Sequence, residues 1–390
     1  MTHDTNIPHG YKATALGIIP QEWEVKKLGE VGKLLSGLTY TPSNIQSDGI
    51  LVLRSSNIQN GVLAFDDNVY VNVSSYTPVK AGDILICVRN GSQNLIGKTA
   101  LITQEAEGCA FGAFMAVFRS PISKYVFYLL GTELYRKYIF RNLGATINSI
   151  NGSDLKKFRF PFPPLAEQRK IAEVLGVWDE AIEKQARLIE KLDLRKRALM
   201  QRLLSAKLRL PGFSEKWEEV ELGEVLSYEQ PTPYIVRDTN YQNNYKTPVL
   251  TAGKTFILGY TNEGNGICKN IPVILFDDFT TDSRYIDFEF KVKSSATKLL
   301  RVKGQNNLYF IFCALQCFKY PIGGHERHWI SKFQYLTIAL PSIEEQTAIA
   351  EVLTAADREI ELAKEKLERL RRQKRGLMQQ LLTGKKRIKY

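Results

Sequence analysis

Asp277, Asp278 and Asp282 precede Glu289 and Lys291 at a spacing where two carboxylates can hold magnesium beside a lysine, the ingredients of a metal-dependent nuclease. A second reading competes. Asp287, Glu289, Lys291 and Lys293 alternate with Phe288, Phe290 and Val292, which predicts the wet face of a half-buried strand. Cys313, Cys317, His325 and His328 are zinc-ligand types, but C-x3-C followed by H-x2-H is shorter than the two-Cys two-His pattern. Both cysteines also lie in an apolar helical run, where small buried thiols are common. AGKT at 252–255 ends like a phosphate-binding loop, yet Pro248 stands where its first glycine is required. No G-x-S-x-G elbow and no Asn-Pro-Pro-aromatic motif is present, so neither a hydrolase triad nor amino-methyl transfer is encoded. No catalytic, cofactor-binding or metal-ligating residue is assigned.

A different chemistry recurs in both halves of the chain. In the first, polar, basic and turn-rich stretches carry Arg54, Ser55 and Asn57; then Arg89, Asn90, Ser92 and Lys98; then Arg141, Asn148 and Asn151. In the second they carry Lys254 and Thr255; Tyr260 and Asn262; Thr280, Thr281 and Arg284; Ser294, Ser295 and Lys298; and His325, Arg327, His328 and Trp329. Arg and Lys pair with guanine edges and phosphates, Asn with adenine, and Ser and Thr with phosphate oxygens. One such loop is ordinary surface, but clustering in both halves points to DNA reading.

The elements that position these loops are written twice. From Leu165, seam residues fall at Ile171, Leu175, Trp178, Ile182, Gln185, Ile189, Leu192, Lys196, Leu199 and Leu203, in coiled-coil steps of four and three. Adding 178 gives Ile349, Leu353, Ala356, Ile360, Ala363, Leu367, Leu370, Lys374, Leu377 and Leu381 in the same register. Each helix of roughly forty residues would be about 60 Å long and can bury its narrow apolar stripe only against another helix. Lys196 and Lys374 either fix register, face a partner, or are tolerated near a helix end. The entry phrase WEVKKLGEV at 23–31 returns as WEEVELGEV at 217–225, so the repeat covers two tandem halves with unlike interiors. The interiors read as short β runs interrupted by helices. The expected order is an arm at 1–22, an α+β domain at 23–163, a long helix at 164–210, a second domain at 211–341, a second helix at 342–384 and a frayed basic tail at 385–390. Ser342 and Glu345 predict a capping box at the second helix.

The formal net charge of +12 favours a polyanionic partner, and the two helical segments supply much of it. Five cysteines without framework spacing predict reduced thiols and a cytoplasmic location. No apolar h-region opens the chain and no run is long enough for a membrane span, so export and insertion are not expected.

EQRKIAEVL and EEQTAIAEVL, each preceded by proline and followed by a heptad helix ending RALMQRLLS or RGLMQQLLTG, resemble the specificity subunit of type I restriction-modification enzymes. The WEVKKLGEV and WEEVELGEV entries and the GDILICVRNGS loop share the resemblance, which spans about 20–384. It implies two target-recognition domains on an antiparallel pair of long helices in a pseudo-twofold repeat, each domain reading half of a bipartite double-stranded DNA target. Two methylation subunits and the restriction subunits would be the partners. S-adenosylmethionine, ATP and magnesium would be held by those partners and none by this chain. The second interior resembles a variant associated with a GAA-type half-site. The competing readings are the nuclease above and a coiled-coil scaffold without DNA contact.

Overall fold

The computed structural model describes residues 7–143, 148–251, 255–318 and 328–388; the candidates Lys254, His325 and Arg327 lie outside the described residues. The chain divides into two compact units, residues 1–185 with 366–390, and residues 186–365. Both cuts fall inside long helices, Leu165–Leu203 and Ile343–Leu381. Each unit therefore holds one end of each helix and one α+β body.

In unit 1 the central antiparallel sheet has the order Thr99–Leu101, Ile84–Cys87, Met115–Arg119, Lys33–Ser36. Ile84–Cys87 is buried along its whole length, which is why it reads as a continuous apolar run and not as an alternation. A smaller sheet centres on Ile50–Leu53, with Ala110–Phe111 parallel to it. Unit 2 repeats this plan. Its central sheet runs Ser283–Ile286, Val273–Asp277, Thr297–Val302, Leu226–Glu229, all antiparallel. Its smaller sheet centres on Thr247–Leu250, with Lys291–Val292 parallel to it. Interiors that share almost no sequence thus share strand order. The helical run at 125–140 is two helices, Ser123–Leu129 and Glu133–Asn142, parted where the Thr132 hydroxyl caps the second.

Along the two long helices every seam position is buried or half-buried. In unit 1, Ile171, Leu175 and Leu381 join the main core; in unit 2, Leu203, Ile349 and Leu353 do the same, and Leu192 packs with Ile360 and Ala363. Partners climb one helix as they descend the other, so within each unit the two helices run antiparallel.

The polar seam residues form a repeated node. Lys374 pairs with Asp179 in unit 1 and Lys196 with Asp357 in unit 2, and the two aspartates, like the two lysines, stand 178 residues apart. Each aspartate also accepts a phenol from the α+β body: Tyr128 at 2.7 Å on Asp179, and Tyr309 on Asp357. Burial first, then the Asp179 hydrogen bond, pushes the Tyr128 phenol far above its ordinary range, so it stays a donor. Lys374 Nζ stands 5.1 Å from the Tyr128 ring. The lysines are 16% and 18% exposed and the aspartates 43% and 41%, so solvent screening limits each pair to about 1 kcal/mol. Asp179→Lys should lower the melting temperature of the full chain by a few degrees, and adding Lys374→Asp should restore most of it. A double variant no more stable than the single one would show that the two residues do not interact.

The helix entrances carry a second repeated network. Glu167, fully buried, accepts from Trp23 Nε1 at 3.1 Å and from Arg387 Nε and Nη2 at 2.7 and 2.9 Å. Glu345, also buried, accepts from Trp217 Nε1 at 2.9 Å and from Arg209 Nε and Nη2 at 2.7 and 2.8 Å. Three expectations change as a result. The segment 385–388 is not a frayed tail, because Arg387 is committed to Glu167 and Glu22 and Ile388 packs on the core. The arm is a folded hairpin, Tyr11–Thr14 with Gly17–Pro20; Ile19 is buried and Tyr11 Oη donates to Gly384 O. Gly384 has φ +72°, and a Cβ there would fall 2.3 Å from Pro20 Cδ, so only glycine fits the approach. Finally, the capping box is half made: Ser342 Oγ accepts the Glu345 N–H at 3.4 Å, while the Glu345 carboxylate turns to Trp217 and Arg209.

Candidate nucleic-acid interface

Strand register aligns the two bodies residue by residue at one corner. Cys87 pairs with Met115 at the end of the central strand pair in unit 1, and Asp277 pairs with Thr297 in unit 2. The chain leaving that strand end carries Arg89, Asn90 and Ser92 in one unit and Phe279, Thr280 and Thr281 in the other. The chain arriving there carries Phe114 in one and Ser294 and Ser295 in the other. Backbone bonds confirm the match: Val88 and Arg89 N–H donate to Phe114 O, and Asp278 N–H donates to Ala296 O.

In unit 1 three loops interlock at the corner. Asn90 Nδ2 donates to Ser55 Oγ at 2.9 Å, Asn90 N–H donates to Asn148 O, and Asn148 Nδ2 donates to Gly91 O at 3.0 Å. Arg89 is exposed, with its guanidinium 5.7 Å from the Phe114 ring centroid. The structure thus brings Ser55, Arg89, Asn90, Ser92 and Asn148 together. Lys98 is exposed at the base of the same loop, next to Thr99–Leu101. Arg141, on the last turn of Glu133–Asn142, and Asn151, just before Gly152–Lys157, are exposed farther along the chain.

In unit 2 two buried aspartates hold the corner. Asp277 Oδ1 accepts the N–H groups of Phe279 and Thr280 at 2.8 and 3.2 Å. Asp278 Oδ1 accepts the Trp329 N–H at 2.9 Å, and its Oδ2 lies 3.6 Å from Lys298 Nζ. Thr281 has φ +60°, uncommon for a β-branched residue and a sign of local strain. Arg284 stands over the Phe256 ring at 5.5 Å, which links its strand to the stretch carrying Thr255. Thr255, Thr280, Arg284, Ser294 and Ser295 are exposed and Thr281 is half-buried.

Several candidates do other work. Asn57 is buried, accepting the Arg54 N–H and donating to Ala64 O, so it builds the turn and presents nothing outward. Arg54 pairs with Asp67 at 2.8 Å. Lys298 is buried against Asp278 and Gln230, and His328 and Trp329 are buried, the latter edge-on to Phe276. Tyr260 and Asn262 sit at the opposite end of the Thr247–Leu250 strand pair from Thr255, because Thr247 pairs with Thr261 and Leu250 with Ile257.

The nuclease constellation comes apart for a similar reason. Asp277 and Asp278 are buried turn-formers, Glu289 is exposed, and Lys291 is buried, bonded to Glu263 at 2.9 Å and Asn265 O at 2.6 Å. The expected alternation holds at Asp287, Glu289, Phe290 and Val292 and fails at Lys291, which is buried, and at Phe288, which is 37% exposed. Cys313 is buried within Leu308–Gln316 and Cys317 is exposed at its end. Among the described residues no group of three or more His, Cys, Asp or Glu side chains is placed to hold a metal. No helix among them is long and apolar enough to cross a membrane.

Sequence reading passed over Phe114 and Phe279, because a lone Phe in a polar loop carries no spacing signal. It also passed over Arg209 and Arg387, although their 178-residue separation was available.

Residues 20–193 and 214–372 match the type I restriction modification DNA specificity domain family. Two specificity subunits are among the relatives. One, from Escherichia coli, is 45% identical over 138 residues, 34% of each chain. The other, from Methanocaldococcus jannaschii, is 27% identical over 97% of each chain. The chain thus spans about a third of the first relative and nearly all of the second. Two solved structures share the fold. The S subunit of a type I restriction-modification system from M. genitalium has a TM-score of 0.59 at 18% identity, with 98% of each chain covered. A chain from a structure concerning complex assembly and conformational transition of a type I R-M system has a TM-score of 0.52 at 17% identity, covering 94% of this chain and 99% of that one.

Proposed function

The chain belongs to the type I restriction modification DNA specificity family, and from that membership we infer a non-catalytic subunit that reads a bipartite duplex sequence and directs adenine methylation or restriction by its partners. Each α+β body reads one half-site. The long helices set the spacing between half-sites and dock two methylation subunits, which bring S-adenosylmethionine; restriction subunits add ATP- and magnesium-dependent chemistry. One observation carries the reading: two interiors of unlike sequence present polar loops at the same corner of the same sheet. That is the expected form of two readers with different targets on a common scaffold. Arg89, Asn90, Ser92, Asn148, Thr280, Arg284, Ser294 and Ser295 are the proposed contact set, Arg89 and Arg284 being the candidates for guanine edges or phosphates.

Co-expression with the cognate methylation subunit, followed by genome-wide mapping of methylated adenine, tests this. One split sequence should emerge, with a GAA-type half assigned to the second body. Methylation at a continuous sequence, or none, would remove the two-reader assignment.

A further inference from the structure

We propose that each body inserts one phenylalanine, Phe114 in unit 1 and Phe279 in unit 2, into the base stack of its half-site, so that part of the sequence is read as ease of unstacking. The proposal rests on the DNA-reading assignment above and concerns how that reading is done.

Phe114 is 56% and Phe279 45% exposed. Leaving a phenyl ring in water forfeits burial that most Phe side chains obtain, and neither ring is needed to close the core beneath it. Both rings occur at the corner matched by strand register, yet they arrive from different strands. Phe279 follows the strand ending at Asp277, in the place that Arg89 takes in unit 1. Phe114 precedes the neighbouring strand, in the place of Ala296. Two unrelated sequences have thus put one exposed aromatic at one place by two routes. A requirement of the core would have kept the same strand position; a requirement of something outside the protein constrains only where the ring ends up.

The backbone that carries each ring is pinned. The Phe114 carbonyl accepts two backbone N–H groups, and Arg89 covers part of its ring. The Phe279 N–H is fixed by Asp277 Oδ1. The next residue toward the strand, Asp278, is tied to Trp329 and to buried Lys298. An exposed apolar ring on a pinned backbone among Asn, Ser, Thr and Arg side chains suits insertion between base pairs, with polar neighbours taking up phosphates and base edges. A mobile loop would lose much of the gain in ordering.

The test uses the full chain and a randomised duplex library, followed by duplexes of the selected sequence carrying 2-aminopurine at successive adenine positions. Wild type should select two half-sites and raise 2-aminopurine fluorescence at one step in each. Phe114→Ala should lower affinity for the selected duplex roughly ten- to hundredfold, flatten selection in the first half only and abolish the fluorescence rise there. Phe279→Ala should do the same in the second half, and Phe→Trp at either position should keep both effects. Both rings are exposed, so melting temperatures should stay within about 1 °C of wild type. Alanine variants that keep selected-duplex affinity within about twofold, or a wild type without a fluorescence rise, would overturn insertion. A wild type that prefers no duplex over another would instead overturn the DNA-reading assignment itself, and insertion with it.

Discussion

Glu345→Ala should destabilise the unit built from residues 186–365 by about 2–4 kcal/mol, and Glu167→Ala should do the same to the unit that contains both chain ends. The reason is asymmetry. Glu345 is 1% exposed and satisfies an indole N–H and two guanidinium N–H groups at once. Removing it leaves Trp217 Nε1 without that acceptor and Arg209 beside an apolar wall, which for a fully buried pair costs about 3–5 kcal/mol. Arg209 and Arg387 are 26% and 33% exposed, so water relieves part of that cost. A loss of this size corresponds to roughly 4–15 °C in the melting transition of a unit this large.

Glutamine in place of either glutamate keeps an acceptor and removes the charge, so it should fall between wild type and alanine. Hydrogen exchange should locate the damage at Trp217 and the 209–217 linker for Glu345, and at Trp23 and 384–388 for Glu167. A melting shift below about 1 °C for the alanine variants would show that these networks do not hold the helix entrances closed. Alkaline pH should not open the Glu167 network. Hydrogen bonding to Glu167 raises the Arg387 pKa further above an already high ordinary value. A group raised in the folded state contributes fully below its unfolded pKa and is lost only above its folded one, both beyond any working pH.

These networks also mark where sequence reading stops. The long helices were legible because their signal is local: a seam at steps of four and three, repeated at 178, matches Leu165–Leu203 and Ile343–Leu381 within a few residues. What the polar groups on them do was less legible. Lys196 and Lys374 left three readings open because the partner of each lies more than 160 residues away in sequence. Glu345 suited a capping box by spacing, and Arg209 outcompeted the local N–H for its carboxylate. The interiors yielded strands but no topology, since sheet order depends on non-local pairing. Lys291 shows the sharpest failure. Alternation placed it on a wet face, but its two-residue strand runs parallel to Val249–Leu250 inside the smaller sheet, and Glu263 compensates its charge. At the corner, residue type picked out loops that the fold brings together but could not separate Asn90, which links two loops at the surface, from Asn57, which is buried beneath them.

Exchanging residues 32–160 for the interior of another specificity subunit should replace one half of the methylated sequence and leave the other half and the spacing unchanged. The corner that carries Arg89, Asn90 and Asn148 lies wholly inside the exchanged stretch, while Trp23, Glu167, Arg387 and the helix pair lie outside it. For a specific reader, preference for the cognate half over an unrelated one is typically about a thousandfold or more, so methylome mapping of the chimera should show the old half essentially abandoned. Among the contacts that cross the exchange boundary, one recurs in both units: Tyr128, inside it, donates to Asp179 on the helix, as Tyr309 does to Asp357 in the other unit. The incoming interior must therefore supply a hydroxyl there. A chimera with Phe at that position should fold less stably and methylate the new site less completely, and restoring Tyr should recover both. If the exchange altered both halves, the two bodies would not be independent readers. If it altered neither, the base contacts would have to lie in the helices and entry strands that the exchange leaves in place.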